Sequence, residues 1–283
     1  MAIEIIFYSV IGVVAGVTAG LLGVGGGLII VPLLLFVFTS LSVPLPTEHH
    51  AHIAIATSLA TIIFTAISAI IAQQRKGAIL WEWFRLLLPG IIIGSFIGAI
   101  ITTQIPHKPL IIIFCSFIVF VAYKMWPKKI NSDNFQQDND YTFPEAIPSL
   151  AHTIVSLMIG IISAIIGIGG GTMTVPYLSQ YLVPKTIPIK NAIAISSSLG
   201  LPIAIFSSIG FIVQNYLDES VPNFYYSIGY IYMPAFILIS LFAFISAKFG
   251  VYLSHRLDKT VLLRFFSVLL IFQAGKLIID NLF

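Results

Sequence analysis

The chain has 283 residues, of which 58% are hydrophobic and only 9% charged, with a formal net charge of +3. A soluble domain carries about 25% charged residues, so no single globular core can hold this apolar surface and the bilayer must solvate much of it. Alternating segments of about 10 residues, the mark of a transmembrane β-barrel, are missing, which leaves an all-α polytopic membrane protein.

A membrane-spanning helix needs about 20 apolar residues. In chain order the apolar segments are 3–39, 53–72, 84–103, 109–126, 148–183, 192–214, 224–249 and 260–282. The first has Glu4 but no Lys or Arg ahead of it, so it reads as a retained helix and not as a signal peptide. It is too long for one crossing and is interrupted by Gly23-Val24-Gly25-Gly26-Gly27, with Pro32 five residues on. Before segment 53–72 stand Glu48, His49, His50 and His52. No ligand set recurs at the equivalent Pro188, Ile189, Lys190 and Ala192, so these read as loop or mouth residues and no metal is expected. Cys115, the one cysteine, lies in an apolar run and reads as a small core residue. Residues 127–147 are rich in Asn, Asp, Gln and Lys and form a polar linker. Beyond it, segment 148–183 is again too long and is broken by Gly167-Ile168-Gly169-Gly170-Gly171, followed by Pro176.

The second glycine signature is the first displaced by 144 positions. Aligning Gly16–Pro32 with Gly160–Pro176 gives seven identities in 17, and Val43–Leu59 against Val183–Leu199 gives another seven in 17. The chain therefore divides into repeat 1 (1–126), the linker (127–147) and repeat 2 (148–283).

Basic residues fix the orientation, because Lys and Arg collect in cytoplasmic loops. If every apolar segment crosses once, the basic loops of the two halves fall on opposite sides. If each glycine-broken segment is a hairpin that goes in and returns, each half crosses an odd number of times and the second is inverted. Twelve of the 14 basic residues then share one side, leaving only Lys108 and Lys276 opposite. The expectation is two inverted-topology repeats in the cell (plasma or inner) membrane. Each has a Gly-broken helical hairpin followed by three transmembrane helices, with a cytoplasmic linker and both termini non-cytoplasmic. Two membrane units broken at the same place are the pattern of a transporter with its site between the repeats.

A helix broken at membrane depth survives only where protein or a watery cavity surrounds it. Glycine allows the reversal and the close approach of backbone or ligand. The amides that open the arms after Gly27 and Gly171 lack helical partners and carry the positive end of the dipole, which favours an anion. Pro32 and Pro176 would each leave a carbonyl, that of Leu28 or Thr172, without its helical donor. Thr57-Ser58 and Ser196-Ser197-Ser198 occupy equivalent places and can donate to an oxyanion. The alternative readings are close helix packing for the glycines and hydroxyl bonds to carbonyls one turn back. Neither Lys or Arg nor Asp or Glu occupies the middle of a segment. The expected substrate-binding residues are Gly25, Gly26, Gly27, Thr57, Ser58, Gly169, Gly170, Gly171, Thr172, Ser197 and Ser198, with His52 and Asn191 at the two entrances. No G-x-S-x-G, H-E-x-x-H or Walker loop occurs, so neither an enzyme nor an ATPase is expected.

At Gly20-Leu21-Leu22-Gly23-Val24-Gly25-Gly26-Gly27 with Pro32, its copy ending at Pro176, and the Ala56-Thr57-Ser58-Leu59 and Ser197-Ser198-Leu199 blocks, the chain resembles the TauE/SafE sulfite exporter family, also called the toluene sulfonate uptake permease family. The resemblance covers all but the linker. It implies secondary transport of small, mostly sulfur-containing anions such as sulfite and organosulfonates, without a bound cofactor. Ser196-Ser197-Ser198 departs from the Gly-Thr-Ser common in the family. The reading is a transporter of small oxyanions working by alternating access, with the bilayer and a small anion as its partners and no nucleic acid; homodimerisation is left open. Its rivals are a passive anion channel on the same repeats and a non-transporting membrane scaffold or assembly factor.

Overall fold

The structure, a computed structural model, describes residues 2–22, 26–41, 43–125, 149–178, 187–217, 226–253, 267–268 and 270–277. The 127–147 linker and Gly25 lie outside them. The fold is helical: α1 (Ala2–Leu22), α2 (Gly27–Ser40), α3 (His50–Gln74), α4 (Trp81–Gln104), α5 (His107–Met125), α6 (Ser149–Ile166), α7 (Gly171–Pro176), α8 (Ile189–Leu217) and α9 (Met233–Leu253), with a further helical stretch over 270–277. A short turn of helix, Thr47–His49, leads into α3. Five of these helices are long and apolar enough to cross a membrane, the longest windows being Thr47–Gln74 and Asn191–Leu217. α2, with 14 residues, is about 21 Å long at 1.5 Å per residue, short of the ~30 Å hydrocarbon core. Apolar side chains repeat along the outward faces: Ile93, Ile97 and Ile101 on α4, and Ile237, Leu241 and Ile245 on α9, are all exposed. These are faces made for lipid.

α3 and α8 form the centre. α1 packs along α9, and α4 packs along both α6 and α8, while α3 also meets α9. Exchanging the halves, so that α1 becomes α6, α4 becomes α9 and α3 becomes α8, maps each of these contacts onto another. The close pairs are made by small residues, which let backbones approach where lipid gives no hydrophobic push. A Cβ on Gly12 would stand 2.8 Å from Ile239 O, and one on Gly16 would strike Ala243 O. In the equivalent pair, Gly90, Gly94 and Gly98 of α4 lie against Thr153, Leu157 and Ile161 of α6, and Gly160 faces Ile91 and Gly94. Gly16 and Gly160, which open the repeated sequence block, are thus packing positions.

A two-stranded hairpin, β1 (Ser227–Ile228) and β2 (Ile231–Tyr232), precedes α9. The apolar pattern places the start of this segment at 224, within a helix; the helix instead begins at Met233. Met233 N donates to Tyr226 O at the hairpin's own base, and α3 holds the hairpin from outside, Tyr232 N donating to Thr57 Oγ1.

Candidate functional site

The glycine turns of the two halves have the same geometry. Gly26 caps α2 and Gly170 caps α7, each at φ 76° and ψ −13°, a left-handed conformation that L side chains rarely adopt. The Gly26 carbonyl accepts from Ile29 N and Ile30 N, and the Gly170 carbonyl from Met173 N and Thr174 N. The first amides of each arm, on Gly27 and Leu28 and on Gly171 and Thr172, have no helical carbonyl before them to meet. α6 ends at Gly167, φ 77°, where Gly167 N and Ile168 N both donate to Ser163 O at 3.0 Å.

The two turns touch. A Cβ on Gly27 would strike the Gly167 carbonyl and come within 3.0 Å of Ile168 Cα. Ser58 of α3 donates to that carbonyl at 3.1 Å, so a hydroxyl from one half holds the break in the other. Close packing, the alternative reading of the glycines, therefore applies to Gly27. At Gly26 and Gly170 the left-handed conformation adds to it, although an added Cβ there would also meet Ala15 O at 3.0 Å and Ile203 Cδ1 at 2.5 Å.

The hydroxyls divide by role. Thr57, fully buried, accepts the Tyr232 amide at 3.0 Å. Ser197 donates to Ile193 O at 2.8 Å and Ser198 to Ala194 O at 2.9 Å, the one-turn-back bonds common for serine in helices. Thr172 is half-buried. Thr174 Oγ1 and Ser196 Oγ are buried without a partner among the described residues. A buried hydroxyl without a partner costs about 1–3 kcal/mol, and such groups mark places where water or a ligand is to be expected.

At the second glycine turn lies a small cavity of about 10 Å³, the size of one water position. It is lined by Ala19 of α1, Ile62, Thr65, Ala66 and Ala69 of α3, Gly169 of the second turn, and Ser197 and Gly200 of α8. Gly169 and Ser197 are expected site residues. The lining stretch of α3, from Ile62 to Ala69, was not anticipated from the sequence, although its small residues recur at helical spacing.

The expected entrance residues are both engaged with neighbouring elements. His52 is buried, and its Nε2–H donates to Ile105 O at 2.9 Å. Asn191 is half-buried, and its Nδ2 donates to Ala78 O at 3.0 Å. Among the described residues no three of His, Cys, Asp or Glu are grouped to hold a metal, and no Asp, Glu, Lys or Arg is buried.

The description "Sulfite exporter TauE/SafE" matches residues 8–277. The chain belongs to the TauE/SafE sulfite exporter family. A probable membrane transporter protein of Haemophilus influenzae is 32% identical over 270 residues, which are 95% of this chain and 96% of the relative. Similar proteins named as probable membrane transporters occur in Methanocaldococcus jannaschii (24% identical, 88% of this chain and 86% of the relative) and Bacillus subtilis (23% identical, 97% of each). No solved structure matches. Like other members of the TauE/SafE family, this is a multi-pass membrane protein with the names of transporters, not enzymes, around it.

Proposed function

We propose that this TauE/SafE protein moves a small oxyanion, sulfite or an organosulfonate, across the cell membrane by alternating access between inverted repeats 1–126 and 148–283, joined by a cytoplasmic linker at 127–147. The observation that carries the reading is the meeting of the two left-handed glycine turns. There Gly27, at the start of α2, lies against Gly167 and Ile168 of the second turn, Ser58 bonds the Gly167 carbonyl, Ser197 lines a cavity with Gly169, and no charged side chain among the described residues is buried. Such a site attracts an anion without a fixed counter-charge that would trap it. Gly26, Gly27, Gly169, Gly170, Gly171 and Thr172 would supply amides and close approach, with Gly25 in the same signature. Thr57, whose oxygen accepts Tyr232 N and so keeps its O–H for donation, would supply a hydroxyl, as would Ser58, Ser197 and Ser198 on turning from the Gly167, Ile193 and Ala194 carbonyls.

Two contacts support the inverted arrangement. His52 and His49 pack on Tyr230, and Asn191 bonds Ala78. Counting each glycine-broken segment as a hairpin puts the partners of each contact on one side of the membrane, the histidines and Tyr230 outside, Asn191 and Ala78 inside. Counting one crossing per segment separates both pairs. Both termini then lie outside the cytoplasm.

Purified protein in proteoliposomes tests the function. Saturable flux of sulfite or sulfoacetate that exceeds flux of acetate and phosphate, and that a Gly170→Leu variant inserted in the membrane lacks, is the expected result. Non-saturating flux would mean a channel. Absence of both flux and ligand-dependent thermal stabilisation would overturn transport altogether.

A further inference from the structure

Histidine is the one side chain whose ordinary titration falls between about pH 5 and pH 8, and His50, His52 and His152 are buried here. His50 Nε2 takes the Leu45 carbonyl, and His152 Nδ1 takes the Tyr177 hydroxyl. His52 differs. Its Nε2 must carry the proton given to Ile105 O, so Nδ1 holds a bare lone pair, and it is buried with no partner among the described residues.

The ring of His52 lies against Tyr230, with centroids 5.8 Å apart, and against His49, also 5.8 Å. Tyr230 is buried between β1 and β2 and rests on Phe211 and His49 as well. On the next strand Tyr232 touches Tyr8 and Phe38, and its amide is clasped by Thr57. The hairpin thus covers one end of the α3–α8 centre, while the small cavity, on the Ile62–Ala69 side of α3, lies towards the other. Its backbone carries a local cost: Tyr226, at its base, has φ 59°, a left-handed conformation that residues with a Cβ rarely adopt.

We infer that His52 is the proton-binding site of the transport cycle, and that a proton on its Nδ1 releases the Ser227–Tyr232 hairpin and uncovers the buried Thr57 hydroxyl for the anion. The inference rests on the transport reading above and names its coupling ion. In the closed arrangement a proton on Nδ1 adds a donor with nothing to accept it, in a ring wedged against Tyr230. With the hairpin lifted, water can accept that proton's hydrogen bond. A proton therefore binds the open arrangement better and shifts the population towards it. The other titratable groups that face His52 are His49, with Glu48 at 4.0 Å from it, His107, whose Nδ1 accepts Ala51 N beside it, and Tyr230. α4 brings only Thr102 and the Ile105 carbonyl.

Spin labels on Tyr226→Cys, exposed on the hairpin, and Lys108→Cys, exposed at the start of α5, report the opening by pulsed electron–electron distance measurement. Cys115 is buried and is replaced by Ser in a control. With His52 in place, the ratio of long to short distances should rise about tenfold between about pH 7.5 and about pH 5.5. His52→Gln, whose amide can still donate to Ile105 O, and His52→Asn should hold the neutral-pH distribution throughout. His49→Gln and His107→Gln should keep the response. A pH-invariant distribution with His52 present overturns the inference even if no His52 variant folds. So does a response that survives His52→Gln or vanishes in His49→Gln or His107→Gln. The measurement uses no substrate, so failure of the flux assay and failure of this inference are separate results.

Discussion

Ser58 and Ser198 occupy equivalent positions of the repeat, yet Ser58 reaches across to the Gly167 carbonyl while Ser198 bonds its own helix. Their removal should therefore differ. Ser58→Ala leaves a buried carbonyl without its donor and should lower stability by about 1–3 kcal/mol, measured as a thermal shift in detergent. Ser197→Ala and Ser198→Ala remove hydroxyls whose acceptors are helical carbonyls, and should change stability by less than about 0.5 kcal/mol. If Ser197 faces the anion across the cavity, its alanine variant should still lose ligand-dependent stabilisation by sulfite. Unchanged stabilisation would remove Ser197 from the site. The sequence made these hydroxyls candidates because two equivalent polar clusters in apolar segments are conspicuous. It could not divide them by role, because that depends on which helix each one meets: Thr57 is committed to Tyr232, 175 positions away.

Elements that answer to composition and backbone stereochemistry were readable. The glycine breaks appear where expected, since a left-handed turn at Gly26 or Gly170 follows from local residue type alone. The hairpin before α9 was not readable. Its strands have two residues each, too few for a periodic signal, and they exist because α3 supplies a partner for Tyr232 N. The close helix pairs lie between these cases: glycine at every fourth position of α4 is visible, but its partner is not. Gly94→Ala drives a methyl group into the Leu157 carbonyl of α6 and should cost about 1–3 kcal/mol by forcing the helices apart. At Gly77, φ 62°, an added Cβ meets nothing, so Gly77→Ala should cost only its backbone strain, about 1 kcal/mol. Denaturation of the two variants side by side separates crowding from conformation, and equal losses would contradict the packing assigned to α4 and α6.

At the scale of the whole molecule, the sidedness of two loops decides between the folds the sequence allows. Lys76 ends α3's loop beside Ala78, to which Asn191 is bonded. Tyr226 begins the hairpin on which His49 and His52 rest. With single crossings the loops at 75–80 and 226–232 share a side. With two hairpins, the first faces the cytoplasm and the second faces away. Placing Arg75, Lys76 and the other cytoplasmic-loop cations on the negatively charged side is favourable by about 1 kcal/mol per residue near the surface, so twelve such residues outweigh the two left opposite. A membrane-impermeant thiol reagent applied to intact cells should modify Tyr226→Cys and spare Lys76→Cys until the cells are opened. Equal modification of both in intact cells would refute the inverted halves. With them would go the argument that the two glycine turns approach one site from opposite sides of the bilayer, since that opposition exists only if the second half is turned over.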